Sequence, residues 1–444
     1  MGVFHSLRYR DFRLMWFGMA LSNIGTWMMW VALHWHVLKV TGSAFWVGAV
    51  DFANFFPMWL SPFGGVLADR FDRKKILLVT QSVMMLEGVA LAILSQTGHA
   101  SAGVVLGLTL VMGLAFSLDA PTRHAFFPSL VPREAMVNAI ALNSGQFSLA
   151  RVIGPAIAGP MIALAGVTPV FWINAISFLT VLGALVLVRS PYRGPKPGQP
   201  RATLRDGVLY AWRHPIVRAM LGAVLVFALF GDAIHVLLPV FADDVFGRGA
   251  RGYGLLVAIM GTGSVIGAVT LGRLGRSSPR LVGLGLALTG ASLIGFAAIG
   301  SFAAAAPLIF LFGAGYLFTV ASANGQIQTS VDEAVRGRVV ALFMTVFGGI
   351  FPLGALAAGA IADRIGAPVT TIAGGVIVVA WGVGLAFRGR GEQAMAVDGT
   401  PPRALAKLGA RGPRRPYAPS RGASPPAEGQ SIEENLPDHT PRER

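Results

Sequence analysis

The chain has 444 residues, 54% of them apolar and only 13% charged, with mean hydropathy +0.63. Soluble domains carry about 25% charged residues, so this composition excludes an ordinary water-soluble globule. The formal net charge is +15 and there are no cysteines, which removes disulfides, thiol catalysis and cysteine-based metal sites.

Apolar runs are predicted as membrane spans at 14–38, 44–68, 75–96, 101–119, 138–165 and 168–188, then at 216–241, 253–272, 281–300, 303–323, 338–362 and 368–387. Each approaches the roughly 20 residues that a helix needs to cross about 30 Å of hydrocarbon. Lipid offers no partners to backbone polar groups, and these runs lack the alternation of barrel strands, so the state is helical. The first run is too long for a signal-peptide core and is expected to stay as a span. The fold class expected is an all-α membrane protein with twelve transmembrane helices in two pseudo-symmetric six-helix bundles.

The basic residues fall between the spans with a strong bias. With the N-terminus inside, the inner segments hold Arg8, Arg10, Arg13, Arg70, Arg73, Lys74, Lys75, Arg123, Arg133, Arg273, Arg276 and Arg280, among others. The outer segments hold only Lys39, Arg248, Arg251 and Arg364. The positive-inside rule therefore places both termini in the cytoplasm, and it explains the net charge better than a nucleic-acid partner does. The domain reading is an N-terminal bundle at 1–188, a cytoplasmic linker at 189–215 with an amphipathic piece near Leu204–Trp212, a C-terminal bundle at 216–387 and a tail at 388–444. Residues 397–444, rich in Pro, Arg, Gly, Ser and Glu, are expected to be disordered. A shift of two hundred residues aligns Val131, Ala141, Leu142, Phe147, Gly154, Ala158, Gly159 and Gly166 with Val331, Ala341, Leu342, Phe347, Gly354, Ala358, Gly359 and Gly366.

Residues 65–75 read Gly-Val-Leu-Ala-Asp-Arg-Phe-Asp-Arg-Lys-Lys between two apolar runs. Gly65, Leu67, Ala68, Asp69, Arg70, Arg73 and Lys74 match the signature loop after the second span of the major facilitator superfamily, which the chain resembles. Leu7–Arg13, Ser22–Trp27 and Val40–Ser43 are similar to one exporter branch, which includes enterobactin exporters and macrolide efflux proteins. In span five, Gly154, Pro155 and Gly159 resemble an element associated with export, with Ala158 in place of a glycine. The resemblance covers about residues 6–388 and implies two rocking six-helix bundles. Asp69 is expected to close the inner side by accepting bonds from a helix start, with Arg70 and Arg73 pairing to acids on neighbouring ends.

No catalytic triad, paired catalytic acids or phosphate loop stands out, so the chain is read as a transporter without a cofactor rather than as an enzyme. A charge within a span costs about 2.5–3.5 kcal/mol on insertion scales and calls for a reason. Asp51 in span two and Asp232 in span seven are the main candidates for carrying protons or binding solute. Arg151 is their possible counter-charge, and His235 shares a helix face with Asp232. Asn23 and Asn54 are candidate cavity-lining groups. Glu87, Asp119 and Arg123 are weaker candidates. His34 and His36, at the outer end of span one, lack the further ligands that zinc requires and are assigned to packing. The expected function is proton-coupled efflux of a small amphipathic molecule from the inner membrane by a monomer, with protons, the bilayer and the small solute as its partners. An importer or facilitator, and a non-transporting receptor or scaffold, are the alternatives.

Overall fold

The computed structural model describes residues 4–61, 71–189, 204–331 and 333–397. Among these, the regular elements are all helical. They are α1 (Arg10–Thr41), α2 (Ala44–Phe55), α3 (Arg73–Gln96), α4 (Ala102–Phe126), α5 (Met136–Ala165) and α6 (Thr168–Leu187). After the undescribed 190–203 come the short α7 (Leu204–Arg213), α8 (Pro215–Val226), α9 (Ile234–Val240) and α10 (Gly249–Leu274). The series closes with α11 (Pro279–Ala298), α12 (Phe302–Ser330), α13 (Glu333–Ile365) and α14 (Ala367–Val397).

Ten continuous helical stretches among the described residues are long and apolar enough to cross a membrane. The two remaining predicted crossings fall short for local reasons. In α1, several tryptophans, Asn23 and the histidines dilute the apolar content of a helix 32 residues long. α2 continues through a 3-10 turn at Phe56–Leu60 up to residues 62–70, which lie outside the described residues. α7 coincides with the predicted amphipathic piece. α4 runs past its predicted end because Pro121 does not break it, so Asp119 and Arg123 sit inside the helix. The predicted tail from 398 onward lies outside the described residues.

Short turns make consecutive helices run in opposite directions. Gly42, Gly98, Gly166, Gly247 and Gly366, all with positive φ, mark one end of the molecule, here the Gly42 end. Asp72, Pro132 and Gly275 mark the other, the Asp72 end. Asp72 caps α3 by accepting from the Lys74 N–H at 2.9 Å. α1 packs on α5 and α6, and α3 on α4 and α6; later in the chain α12 packs on α10, α11 and α8.

Two seams join the earlier helices to the later ones: α2 against α13, and α5 against α10. Both depend on small residues. A Cβ on Gly48 would lie 2.6 Å from the carbonyl of Ala355, and one on Gly359 would collide with the carbonyl of Ala44. In the other seam a Cβ on Gly254 would lie 2.5 Å from the carbonyl of Pro155, and one on Gly159 2.9 Å from that of Ala250. The same contact is thus built twice. Ala44 and Gly48 face Ala355 and Gly359, and Ala250 and Gly254 face Pro155 and Gly159. Without side chains in the way the backbones approach closely, which is how helices associate where no hydrophobic effect drives them together.

The first seam also carries charge. Ser43 precedes α2 without capping it through its own side chain. Asp363 of α13 takes that role, accepting from the Ala44 N–H at 2.7 Å, the Phe45 N–H at 3.2 Å and the Ser43 hydroxyl. A carboxylate at a helix start satisfies orphan donors and meets the positive end of the dipole. At the same end, Lys39 of α1 pairs with Asp243 beyond α9.

Replacing Gly254 or Gly48 by Val should lower the thermal midpoint of the detergent-solubilised protein, at a cost of about 1–3 kcal/mol for overpacking. Gly272→Val, where an added Cβ meets nothing within 4 Å, is the control. If Gly254→Val melts with Gly272→Val, the seam is not packed backbone to backbone.

Candidate transport site

The α1–α2 hairpin turns at Gly42–Ser43, and His34 and Asp51 lie equally far from that turn, about two helical turns down each arm. They therefore meet at one depth. Both side chains are fully buried, and His34 Nε2 lies 2.9 Å from Asp51 Oδ1. On the other side of the ring, His34 Nδ1 lies 3.1 Å from the hydroxyl of Tyr253 in α10. Trp30, one turn below His34, donates its indole N–H to the same Asp51 oxygen at 3.2 Å. Asp51 Oδ2 is buried without a partner. In the neutral ring, Nε2–H donates to the carboxylate and Nδ1 accepts from the tyrosine. With one more proton the ring donates on both sides, and the tyrosine oxygen accepts instead.

A second cluster lies further from the Gly42 end. The helix from Pro215 to Val245 is interrupted by two π segments, Phe227–Gly231 and Phe241–Val245, which flank α9. The first ends on the i−5 bond from Asp232 N–H to the Phe227 carbonyl, at 2.9 Å. Widened turns of this kind re-aim side chains and recur at functional sites. Here they carry Asp232 and His235. His235 Nδ1 lies 3.0 Å from the backbone carbonyl of Asp232 and 3.1 Å from its Oδ1. The carbonyl contact has hydrogen-bond geometry, whereas Oδ1 is without a partner. His235 Nε2 lies 3.3 Å from Arg151 Nη2. Guanidinium has only donors, so His235 accepts there, which makes it the neutral Nδ1–H tautomer. The rings of Trp30 and His235, 5.6 Å apart, connect the two clusters.

Several sequence candidates are brought together. Asp51, Asp232, His235 and Arg151 belong to this one connected region. Among the described residues no ion pair joins Arg151 to a carboxylate; its guanidinium meets His235 Nε2 at 3.3 Å and hydrogen-bonds the side chain of Tyr316. Gly154 lets α1 approach, since a Cβ there would lie 2.7 Å from Trp27 Cβ, while Pro155 and Gly159 form the α5–α10 seam. Asn23 is buried, and the Asn54 side-chain oxygen is buried without a partner. Neither joins the network. Gly65, Asp69 and Arg70 lie outside the described residues. Arg73 donates to the Ala125 carbonyl at 3.2 Å, and Lys74 to those of Val186 and Val188 at 3.2 and 2.8 Å, where a cation suits the end of α6. Asp119 accepts from Thr80 at 2.9 Å and Gln81 at 2.8 Å, and lies 3.4 Å from Arg123 Nε, as part of an α3–α4 fastening. Glu87 is buried with both oxygens unpartnered.

The assignment of His34 to packing is corrected by its contacts with Asp51 and Tyr253. His36, by contrast, points to the Ala100 carbonyl at 2.7 Å. Tyr253, Trp30 and Tyr316 were not singled out. The one available signal was the equal distance of His34 and Asp51 from the Gly42–Ser43 turn.

A buried polar, ionisable network contributed by helices from both the earlier and the later part of an all-helical membrane fold is the kind of site a solute transporter carries. A family model described as transmembrane secretion effector matches residues 1–402, and the chain belongs to that family, within the major facilitator superfamily. It is 31% identical to the enterobactin exporter EntS of Shigella boydii over 318 residues, covering 69% of this chain and 71% of that one. It is 25% identical to the staphyloferrin A transporter of Staphylococcus aureus over 354 residues, 78% and 88% of the two chains. Among solved structures, a bacterial homologue of the lysosomal transporter Spinster aligns with TM-score 0.68 at 15% identity, over 86% of this chain and 96% of that one. A POT family transporter aligns with TM-score 0.71 at 11% identity, over 86% and 96%. These likenesses share the fold.

Tyr253→Phe should cost about 1 kcal/mol, the worth of one neutral hydrogen bond. His34→Phe should cost about 3–5 kcal/mol, because it leaves a buried acid with only the Trp30 indole as donor. Thermal unfolding of the purified variants checks the order, and equal losses would mean that His34 does not hold Asp51.

Proposed function

We propose that the chain exports a small amphipathic molecule of the siderophore or secondary-metabolite class across the inner membrane in exchange for protons. The chain would cross the membrane in twelve spans arranged as two six-helix bundles, 1–188 and 216–387, joined by a cytoplasmic connector at 189–215. The Gly42 end faces outward and both termini face the cytoplasm, a reading the distribution of Lys and Arg supports. The solute class follows from likeness to the enterobactin exporter and the staphyloferrin A transporter.

The observation that carries the coupling is the Tyr253–His34–Asp51 chain. His34 and Asp51 belong to the first bundle and Tyr253 to the second, so this hydrogen-bonded group is complete only while the seams are closed at the Gly42 end. Rocking the bundles apart at that end removes Tyr253 and brings outside water to the imidazole and carboxylate. A proton taken up there is buried when the seams reclose. Its fate is tied to the conformational cycle because the partners that stabilise it exist in one state only. Asp232, beyond Trp30 and next to His235, is the second ionisable acid on this line. Asp69, Arg70, Arg73 and Lys74 serve as the gate at the cytoplasmic end.

Efflux of a fluorescent amphipathic dye from proteoliposomes, driven by an imposed pH gradient, tests this reading. Asp51→Asn and Asp232→Asn should each abolish uphill efflux while leaving downhill exchange partly intact. Uphill efflux at wild-type rate by both variants across pH 6 to 8 would place proton coupling elsewhere.

The topology is tested on the cysteine-free chain with single cysteines. A label should reach position 248 in the Arg248→Cys variant from the outside only, and position 276 in Arg276→Cys from the cytoplasm only. The opposite pattern would invert the protein and reverse the proposed direction.

A further inference from the structure

An apolar crevice of about 180 Å³ separates α13 from α14. Small residues open it: Gly354, Ala357 and Ala358 on one helix, Ala373 and Gly374 on the other. Ile234, Leu237 and Leu293, all buried, close it on the inside. Ala357, Ile361, Ala373 and Ile377, all exposed, form its mouth. The same exposed face carries Leu353, Val376 and Trp381 on two membrane-length helices, so the mouth opens on hydrocarbon. From Thr371 to Ile377 the crevice runs about 9 Å, at 1.5 Å of rise per residue. An apolar cavity of about 150 Å³ stays dry and takes up benzene, so this one suits a hydrocarbon chain and not water. One polar group interrupts the lining. Thr370 donates its hydroxyl to the Gly366 carbonyl, four residues back, at 2.9 Å, as Thr262, Thr289 and Thr345 do to theirs. Thr371 does not: it lines the crevice, and its buried hydroxyl has no partner.

We propose that this crevice is a lipid site, which holds one acyl chain of a phospholipid from the leaflet at the Gly42 end, with the ester carbonyl of that chain accepting from the Thr371 hydroxyl. Buried polar groups are costly unless they are paired, and hydrocarbon has no acceptor to offer. An ester carbonyl at the head of an apolar chain supplies one. The depth fits: Thr371 lies about one turn inside the start of α14, which follows the turn at Gly366. The site also touches the transport machinery. Leu229 and Phe230 of the first π segment belong to its lining. Gly354 and Gly374 let the flanking helices close on that segment, since a Cβ on the first would lie 2.6 Å from the Leu229 carbonyl and one on the second 2.7 Å from that of Phe230. The widened turn that carries Asp232 is thus held by α13, by α14 and by the lipid chain between them.

Native mass spectrometry of the full-length protein in a polyoxyethylene detergent counts bound lipids and gives their affinities. The probes are dioleoylphosphatidylcholine and its diether analogue, which lacks the ester carbonyls. Wild type should bind one diester molecule at least tenfold more tightly than any further copy. It should bind the diester about fivefold more tightly than the diether, the worth of one neutral hydrogen bond. Thr371→Val should bring the diester down to the diether and leave the diether unchanged. Ala357→Phe, which fills the mouth, should weaken both lipids at least tenfold, and Ala373→Phe on the facing helix gives the same measure if the first variant does not fold. Leu284→Phe, on the exposed face of α11, should change neither. Wild-type affinity in the filled variants would put the lipid elsewhere on the surface. An equal effect of Thr371→Val on the two lipids, or none, would remove the hydroxyl as the anchor. Either result, or uniform weak binding of many copies by wild type, overturns the assignment.

Discussion

Backbone-to-backbone contact at two small-residue seams is the constraint on which the interior depends. Lipid is as apolar as leucine, so nothing squeezes one group of helices against another, and association must come from close fit. At Gly48, Gly159, Gly254 and Gly359 the fit consists of carbonyl oxygens lying where a Cβ would be. That proximity fixes the distance between α1 and α10, and with it the 3.1 Å contact from His34 to Tyr253. Move the seams apart by the width of a methyl group and the hydrogen bond across them is lost. The chemistry of the site is thus subordinate to packing that is itself chemically inert.

The correspondence between the seams gives the sequence repeat a physical meaning. Pro155 and Gly159 stand in the same relation to Ala250 and Gly254 as Ala355 and Gly359 do to Ala44 and Gly48. The two copies of the contact are offset by two hundred residues on the Gly159/Gly359 side and by 206 on the Gly48/Gly254 side. The side chains of the site do not follow the repeat: Ile234, Arg251, Ala32, Trp35 and Phe351 stand two hundred residues from His34, Asp51, Asp232, His235 and Arg151. The packing repeats while the site is assembled once, from both groups of helices.

The helices were legible because a span must be apolar over its whole length, and that signal survives without knowledge of any neighbour. Their ends were less so. α4 passes through Pro121, and α13 begins at Glu333, five residues before the predicted 338, because polar residues extend these helices past the apolar run. The acids were legible as charges out of place. His34 was not, because an outer tryptophan-rich setting made packing the natural reading of a histidine, although its distance from the Gly42–Ser43 turn matched that of Asp51. Tyr253 and Tyr316 gave no signal: a tyrosine in a span is unremarked until a partner from another helix is known. The π segments around α9 were also hidden; the carbonyls of the first, Phe227–Gly231, lie against Gly354 and Gly374, a contact no local residue pattern announces.

One seam is pinned by a carboxylate and the other is not. Asp363 caps the start of α2, while the position two hundred residues earlier is Ala163, which has no acceptor to offer α10. The two edges of the closure therefore answer to different variables. The α2–α13 edge weakens with ionic strength, which screens an exposed carboxylate. The α5–α10 contact, made of glycine, alanine and proline backbone, answers to steric load instead. A closure with unlike edges does not part evenly. The side that the surroundings leave fastened is then the natural hinge, and salt at the Gly42 face bears on which side that is.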